Sequence, residues 1–132
     1  MIHMVYDVTG CELTGLGTTE LVGAMRKTAA LLGCTVLGEL PVQFQPHGAT
    51  AVIVLAESHI TVSTWPEIGL AHIDVFTCRA DAEVDDAVAP VLAALRAGEV
   101  KVQEVTRLGP PTSSRSTVES GASGNCRIAQ CS

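Results

Sequence analysis

Residues 51–56 read Ala-Val-Ile-Val-Leu-Ala, six apolar positions in succession, half of them β-branched. A run with no polar position has no solvent face. It reads as a strand at the centre of a sheet, buried on both faces or beneath helices. The rest of the chain must then supply strands to flank it and helices to cover it.

Residues 2–8 are a short apolar stretch with β-branched members and read as the first strand. Turn-forming residues run from Gly10 to Gly17. Thr18 or Thr19 is placed to cap a helix over 20–32, where Leu21, Ala24, Met25, Thr28, Leu31 and Leu32 fall at helical spacing. Gly33 is a natural stop for it. Residues 35–44 read as a strand, 45–48 as a turn, and 58–65 as the hairpin partner of the central run. Residues 66–69 break the pattern, and 70–78 is strand-like again. Residues 81–97 read as an acidic-starting helix in which Pro90 predicts a kink or a late start. Gly98 ends it, and 100–106 is a last strand. Four of these strands follow one another without a helix between them, so they pair antiparallel. The order predicts an α+β, two-layer sandwich, with two helices on one face of a mainly antiparallel sheet. The other face is left apolar, and a chain of this size is expected to form a homodimer through it.

After Leu108 the composition turns to Ser, Thr and Gly with few large apolar residues. Such a stretch cannot bury enough surface to offset its ordering entropy. The reading is one domain over 1–108 and a flexible low-complexity tail over 109–132. Aromatic residues are only 3% of the chain, so the core must be aliphatic. The net charge of -6, with Arg26-Lys27 as the only adjacent basic pair, argues against nucleic acid or an anionic membrane as a partner. No apolar run reaches transmembrane length, and a cytoplasmic location is expected. The cysteines Cys11, Cys34, Cys78, Cys126 and Cys131 contain no C-x-x-C spacing. Without that spacing, neither a metal site nor a thioredoxin-like redox pair is indicated.

Polar chemistry is concentrated in 56–67, Ala-Glu-Ser-His-Ile-Thr-Val-Ser-Thr-Trp-Pro-Glu, and in 73–78, Ile-Asp-Val-Phe-Thr-Cys. Ser58 and His59 would supply a nucleophile and a base. Neighbours on a strand point to opposite faces, however, so a direct dyad is not expected. The same parity separates Ser58 from Ser63. His3, His47 and His72 read as structural or exposed.

Glu-Ser-His-Ile-Thr, then Thr-Trp-Pro-Glu, then Ile-Asp-Val-Phe-Thr-Cys, resembles the signature of the prokaryotic S-adenosylmethionine decarboxylases, which are pyruvoyl-dependent proenzymes. The resemblance covers residues 57–78 continuously. It extends more weakly to the strand of His3, to Phe44-x-Pro-x-Gly48 and to the last strand. It implies that the chain cuts itself between Glu57 and Ser58 and that Ser58 becomes the pyruvoyl cofactor. That group would form a Schiff base with the amine of S-adenosylmethionine and accept the electrons left by departing carbon dioxide. The product would donate aminopropyl groups to polyamine (spermidine) synthesis. By the same resemblance Cys78 returns a proton to the substrate carbon, and Thr50 assists the self-cleavage. Glu67 would bind the ribose hydroxyls, and Phe44 and Trp65 would line the adenine or sulfonium site.

One position departs from the pattern. Where Ser63 stands the family has a histidine, the base for the elimination that makes the pyruvoyl group. A serine hydroxyl is not basic near neutral pH. Two alternatives are therefore carried beside the decarboxylase reading: a pyruvoyl decarboxylase with another amino-acid substrate, and an unprocessed, non-enzymatic relative.

Overall fold

A computed structural model describes residues 1–78 and 83–109. The strands are β1 (Ile2–Thr9), β2 (Val36–Gln43), β3 (Ala49–Leu55), β4 (Ser58–Trp65), β5 (Leu70–Thr77) and β6 (Glu99–Glu104). All pairings are antiparallel, and the sheet order is β2-β3-β4-β5-β1-β6. The helices are α1 (Thr18–Leu31), α2 (Val84–Ala87) and α3 (Ala89–Leu95). This is the expected α+β sandwich, with one helix more than the sequence suggested. Val88 interrupts the expected second helix, and Pro90 falls in the first turn of α3. Proline lacks the donor that a helix interior needs, but the first turn needs none.

Period-two alternation builds the two faces of the sheet. In β3 the residues Ala49, Ala51, Ile53 and Leu55 are buried on the helix side, whereas Thr50, Val52 and Val54 face away. β4 and β5 follow suit, burying Ile60, Val62, Ile73 and Val75 against Leu21, Met25, Val91 and Leu95 of the helices. The central run therefore lies beneath helices on one side only, and Val54 is 47% exposed. Burying side chains of this size stabilises by about 1.5–3 kcal/mol each. Tyr6 is the ring in this aliphatic core. Its hydroxyl donates to Asp85 Oδ1 at 2.6 Å, tying β1 to α2. Burial first, and the carboxylate second, raise its pKa well above the ordinary phenol value.

Neither Thr18 nor Thr19 caps α1. The cap position is Gly17, and it makes no side-chain hydrogen bond. The expected tail falls, from residue 110 on, outside the described residues. Among the described residues no helix is long and apolar enough to cross a membrane.

The face of the sheet away from the helices is uncovered in the single chain. It carries Leu40, Val42 and Val54, with Phe44 beside it and Trp65 at the end of β4. These side chains are exposed. Between them lies a polar band from β4, β5 and β1, so the face is mixed rather than uniformly apolar.

Candidate functional site

The sequence-marked residues fall into two groups at opposite ends of β4. The first group is at the β3–β4 turn. Leu55 pairs with Ser58, leaving a two-residue connection, Ala56-Glu57. A turn this tight demands left-handed backbone, and Glu57 has φ 63°. A side chain in that region costs roughly 1–2 kcal/mol relative to glycine. Ser58, the next residue, is 7% exposed at the start of β4. The bond between them thus joins a strained residue to a buried hydroxyl.

That strain is measurable. In the Ser58→Ala chain, where the 57–58 bond stays intact, Glu57→Gly is expected to raise stability by about 1 kcal/mol. A melting temperature that stays level or falls would show that contacts of the Glu57 side chain outweigh the backbone term.

Cys78 follows β5 and completes this group. It is 6% exposed, with its sulfur 3.0 Å from the carbonyl oxygen of Glu57. The sulfur is disulfide-bonded, so this approach is a contact and not a hydrogen bond. Proton donation from it needs the reduced thiol. Cys11 and Cys34 are buried and free. Burial raises the Cys11 thiol pKa, as suits an inert packing residue.

The second group gathers around the β2–β3 turn and the end of β4. Phe44, Gln45, Pro46, His47, Thr50, Ser63, Thr64, Trp65 and Glu67 line a cavity of about 280 Å³. Gly48 lets the turn close over β4. Its φ is 94°, and a Cβ there would lie 3.0 Å from the carbonyl oxygen of Thr64, so only glycine fits without strain. Thr50 Oγ1 and Ser63 Oγ are hydrogen-bonded at 2.9 Å. His47 Nε2 lies 3.2 Å from Glu67 Oε1, and both side chains are about half exposed. Phe44 is 47% exposed and Trp65 37%. Both rings therefore lie at the surface instead of filling the core.

Within one chain the two groups do not meet. Ser58 and Trp65 are the first and last residues of the 8-residue β4, roughly 23 Å apart at the rise of a strand. Ser63 is five positions from Ser58, roughly 16 Å away and on the other face. The parity argument made from sequence is borne out: Ser58 is buried on the helix side and His59 is half-buried on the open side, beside the Phe76 ring at 5.7 Å. No Ser58–His59 dyad forms.

Three histidines read as structural or exposed all have carboxylate neighbours on this side of the sheet. His3 Nε2 is 2.7 Å from Asp74 Oδ1, His47 has Glu67, and His72 Nε2 is 3.8 Å from Asp7 Oδ1. His72 is the one that sequence reasoning passed over at some cost, since it stands directly across from Ser63 in the β4–β5 register. The short 66–69 connection would have shown this once its turn was fixed. Among the described residues no group of three or more His, Cys, Asp or Glu side chains is placed to hold a metal ion.

Comparison with known proteins bears on both groups. The family described as S-adenosylmethionine decarboxylase matches residues 2–108. The S-adenosylmethionine decarboxylase proenzyme of Thermoanaerobacter sp. (strain X514) is 37% identical over 106 residues, covering 80% of this chain and 86% of the relative. The proenzyme of the same name from Thermococcus gammatolerans is 38% identical over 106 residues, covering 80% and 74%. The crystal structure of the adenosylmethionine decarboxylase from Aquifex aeolicus VF5 superposes with a TM-score of 0.70 at 30% identity, covering 87% of this chain and 96% of that one.

Proposed function

Because this chain belongs to the S-adenosylmethionine decarboxylase family, a family of lyases, we propose that it matures by cutting itself between Glu57 and Ser58 and then decarboxylates S-adenosylmethionine. The product would serve as an aminopropyl donor for polyamine synthesis in the cytoplasm. The observation that carries the reading is the 57–58 junction, where a left-handed Glu57 adjoins the buried Ser58 at a tight turn.

The strained carbonyl of Glu57 is the electrophile, and the Ser58 hydroxyl attacks it. Relief of the turn favours the resulting ester. The residues present suit a pyruvoyl group made from Ser58: it would sit at the head of β4, walled by the core and close to Cys78. Such a group supplies a ketone that condenses with the substrate amine and draws in the electron pair released with carbon dioxide. Around it, the Cys78 thiol in its reduced form delivers a proton to the substrate carbon. Glu67 accepts hydrogen bonds from the ribose hydroxyls, as a carboxylate with two adjacent oxygens can do. The rings of Phe44 and Trp65 attract a sulfonium cation and cover the base. The hydroxyls of Thr50 and Ser63 assist the cleavage.

The two groups lie at opposite ends of β4, so we take the working site to be shared between two chains. A twofold axis through the open face near the middle of β4 reverses strand direction. It would lay the Ser58 end of one chain's β4 over the Ser63 and Glu67 end of the partner's. The exposed Leu40, Val42 and Val54 support that face as the interface.

Intact mass spectrometry of the freshly purified protein under reducing conditions tests maturation. Two fragments are expected, 1–57 and 58–132, the second blocked at its N-terminus by a pyruvoyl group. A single chain, inert to hydroxylamine, would return the unprocessed, non-enzymatic reading.

A further inference from the structure

A row of side chains crosses the open face at the level of Ser63. The strand registers align Thr50, Ser63, His72, Asp7 and Lys101 on β3, β4, β5, β1 and β6 in turn. Residues opposed in this way share a face, with Cβ atoms about 5 Å apart. The Thr50 and Ser63 hydroxyls are 2.9 Å apart. On the other side of Ser63 stands the His72 imidazole, and beyond it Asp7 Oδ1 at 3.8 Å from His72 Nε2. The Trp65 ring packs against the imidazole, with centroids at 4.8 Å and planes at 62°, and so limits its rotation. The His72 side chain is 49% exposed, open to a second chain laid over the sheet. The order is hydroxyl, hydroxyl, imidazole, carboxylate.

From this row we propose that His72, working through the Ser63 hydroxyl, accepts the proton in the elimination that turns Ser58 into the pyruvoyl group. The proposal rests on the self-cleavage and shared-site reading above. The other histidines are placed elsewhere. His47 faces Glu67, His3 is held by Asp74 with Arg107 on its other nitrogen, and His59 lies against Phe76. Only His72 is the direct cross-strand neighbour of Ser63.

The step balances as follows. In the ester the Glu57 acyl group is on Ser58 Oγ, and the Ser58 nitrogen is a free amine. Ser63 Oγ of one chain takes the Cα proton of the partner's Ser58 while passing its own proton to the adjacent His72. The C–H electron pair forms a Cα=Cβ bond, and the Cβ–Oγ bond breaks with its pair leaving as the Glu57 carboxylate. The proton held at His72 returns to Cβ, which leaves an iminium at residue 58. One water hydrolyses the iminium to the ketone, and ammonium is released. Asp7 stabilises the imidazolium while it exists. Lys101 follows Asp7 in the row as its cross-strand neighbour on β6.

The test follows chain maturation by intact mass, separately from decarboxylation, under reducing conditions. Wild type, His72→Ala, His72→Gln and the double variant Ser63→His/His72→Ala are compared, with hydroxylamine added to aliquots to cut any ester at residue 58. Both single variants are expected to reach the ester and then form the blocked 58–132 fragment about 10²–10⁴-fold more slowly. Imidazole in the buffer should restore part of the His72→Ala rate, and the histidine at 63 should restore most of it. A merely structural role for His72 would give neither rescue. Maturation of His72→Ala at the wild-type rate, or slow maturation that neither imidazole nor Ser63→His repairs, overturns the assignment while leaving self-cleavage standing. A wild-type chain that stays whole and yields nothing to hydroxylamine overturns the processing reading beneath it.

Discussion

Ser58→Ala should release no labelled carbon dioxide from carboxyl-labelled S-adenosylmethionine above the buffer blank, and should remain one chain. Alanine at 58 removes both the nucleophile that cuts the chain and the atoms from which the cofactor is made. Stability should hardly change, since Ser58 lies at a strand end and the substitution deletes a single oxygen. Cys78→Ala provides the contrast. It leaves the 57–58 bond cleavable and removes only a proton donor, so the reduced enzyme should lose about 10²–10⁴-fold in turnover while still appearing as two fragments. Carbon dioxide release by Ser58→Ala equal to wild type would sink the pyruvoyl mechanism. An uncut Cys78→Ala would move that residue from turnover into maturation.

The second large effect is a recovery. Ser58→Ala and Glu67→Gln are each expected to be inactive or nearly so when purified alone. If each site takes Ser58 from one chain and Glu67 from the other, a mixed dimer contains one site with neither substitution. Random exchange of subunits at equal amounts should restore activity to about a quarter of wild type. The mixture must be unfolded and refolded, or co-expressed, so that subunits exchange. Activity no greater than the mean of the parents, with mixed dimers demonstrated by mass, would place each whole site within one chain. The strand length of β4 makes that outcome hard to reconcile with Glu67 in substrate binding.

What sequence could and could not tell here divides along the range of the forces involved. The central run, the hairpin after it and the interruption near Pro90 are local matters, decided by side-chain periodicity and a missing backbone donor. The start of α1 is also local, yet Thr18 and Thr19 misled. Helix geometry begins at Thr18 itself, so the cap falls to Gly17, which has no side chain to offer. The site was legible as a list of residues but not as a place. A motif continuous along the chain suggests one pocket, whereas a straight strand carries its two ends far apart. His72 escaped notice because its importance comes from a neighbour across the sheet. Strand register is set by the whole hydrophobic pattern and the turn together, and no short motif encodes it.

The strand order has a consequence for the cut protein. Fragment 1–57 would hold β1, β2 and β3, and fragment 58–132 would hold β4, β5 and β6. In the sheet β1 lies between β5 and β6, so the two pieces are interleaved and share three strand-to-strand seams. Once severed they have no covalent guide back to this arrangement, since the two cysteines of fragment 1–57, Cys11 and Cys34, are free. Refolding would then depend on protein concentration, where the uncut chain folds alone. Inheritance of this architecture therefore runs one way in time: the sheet must be finished before the scissile bond is broken, and a molecule denatured afterwards recovers its form only by finding its other half.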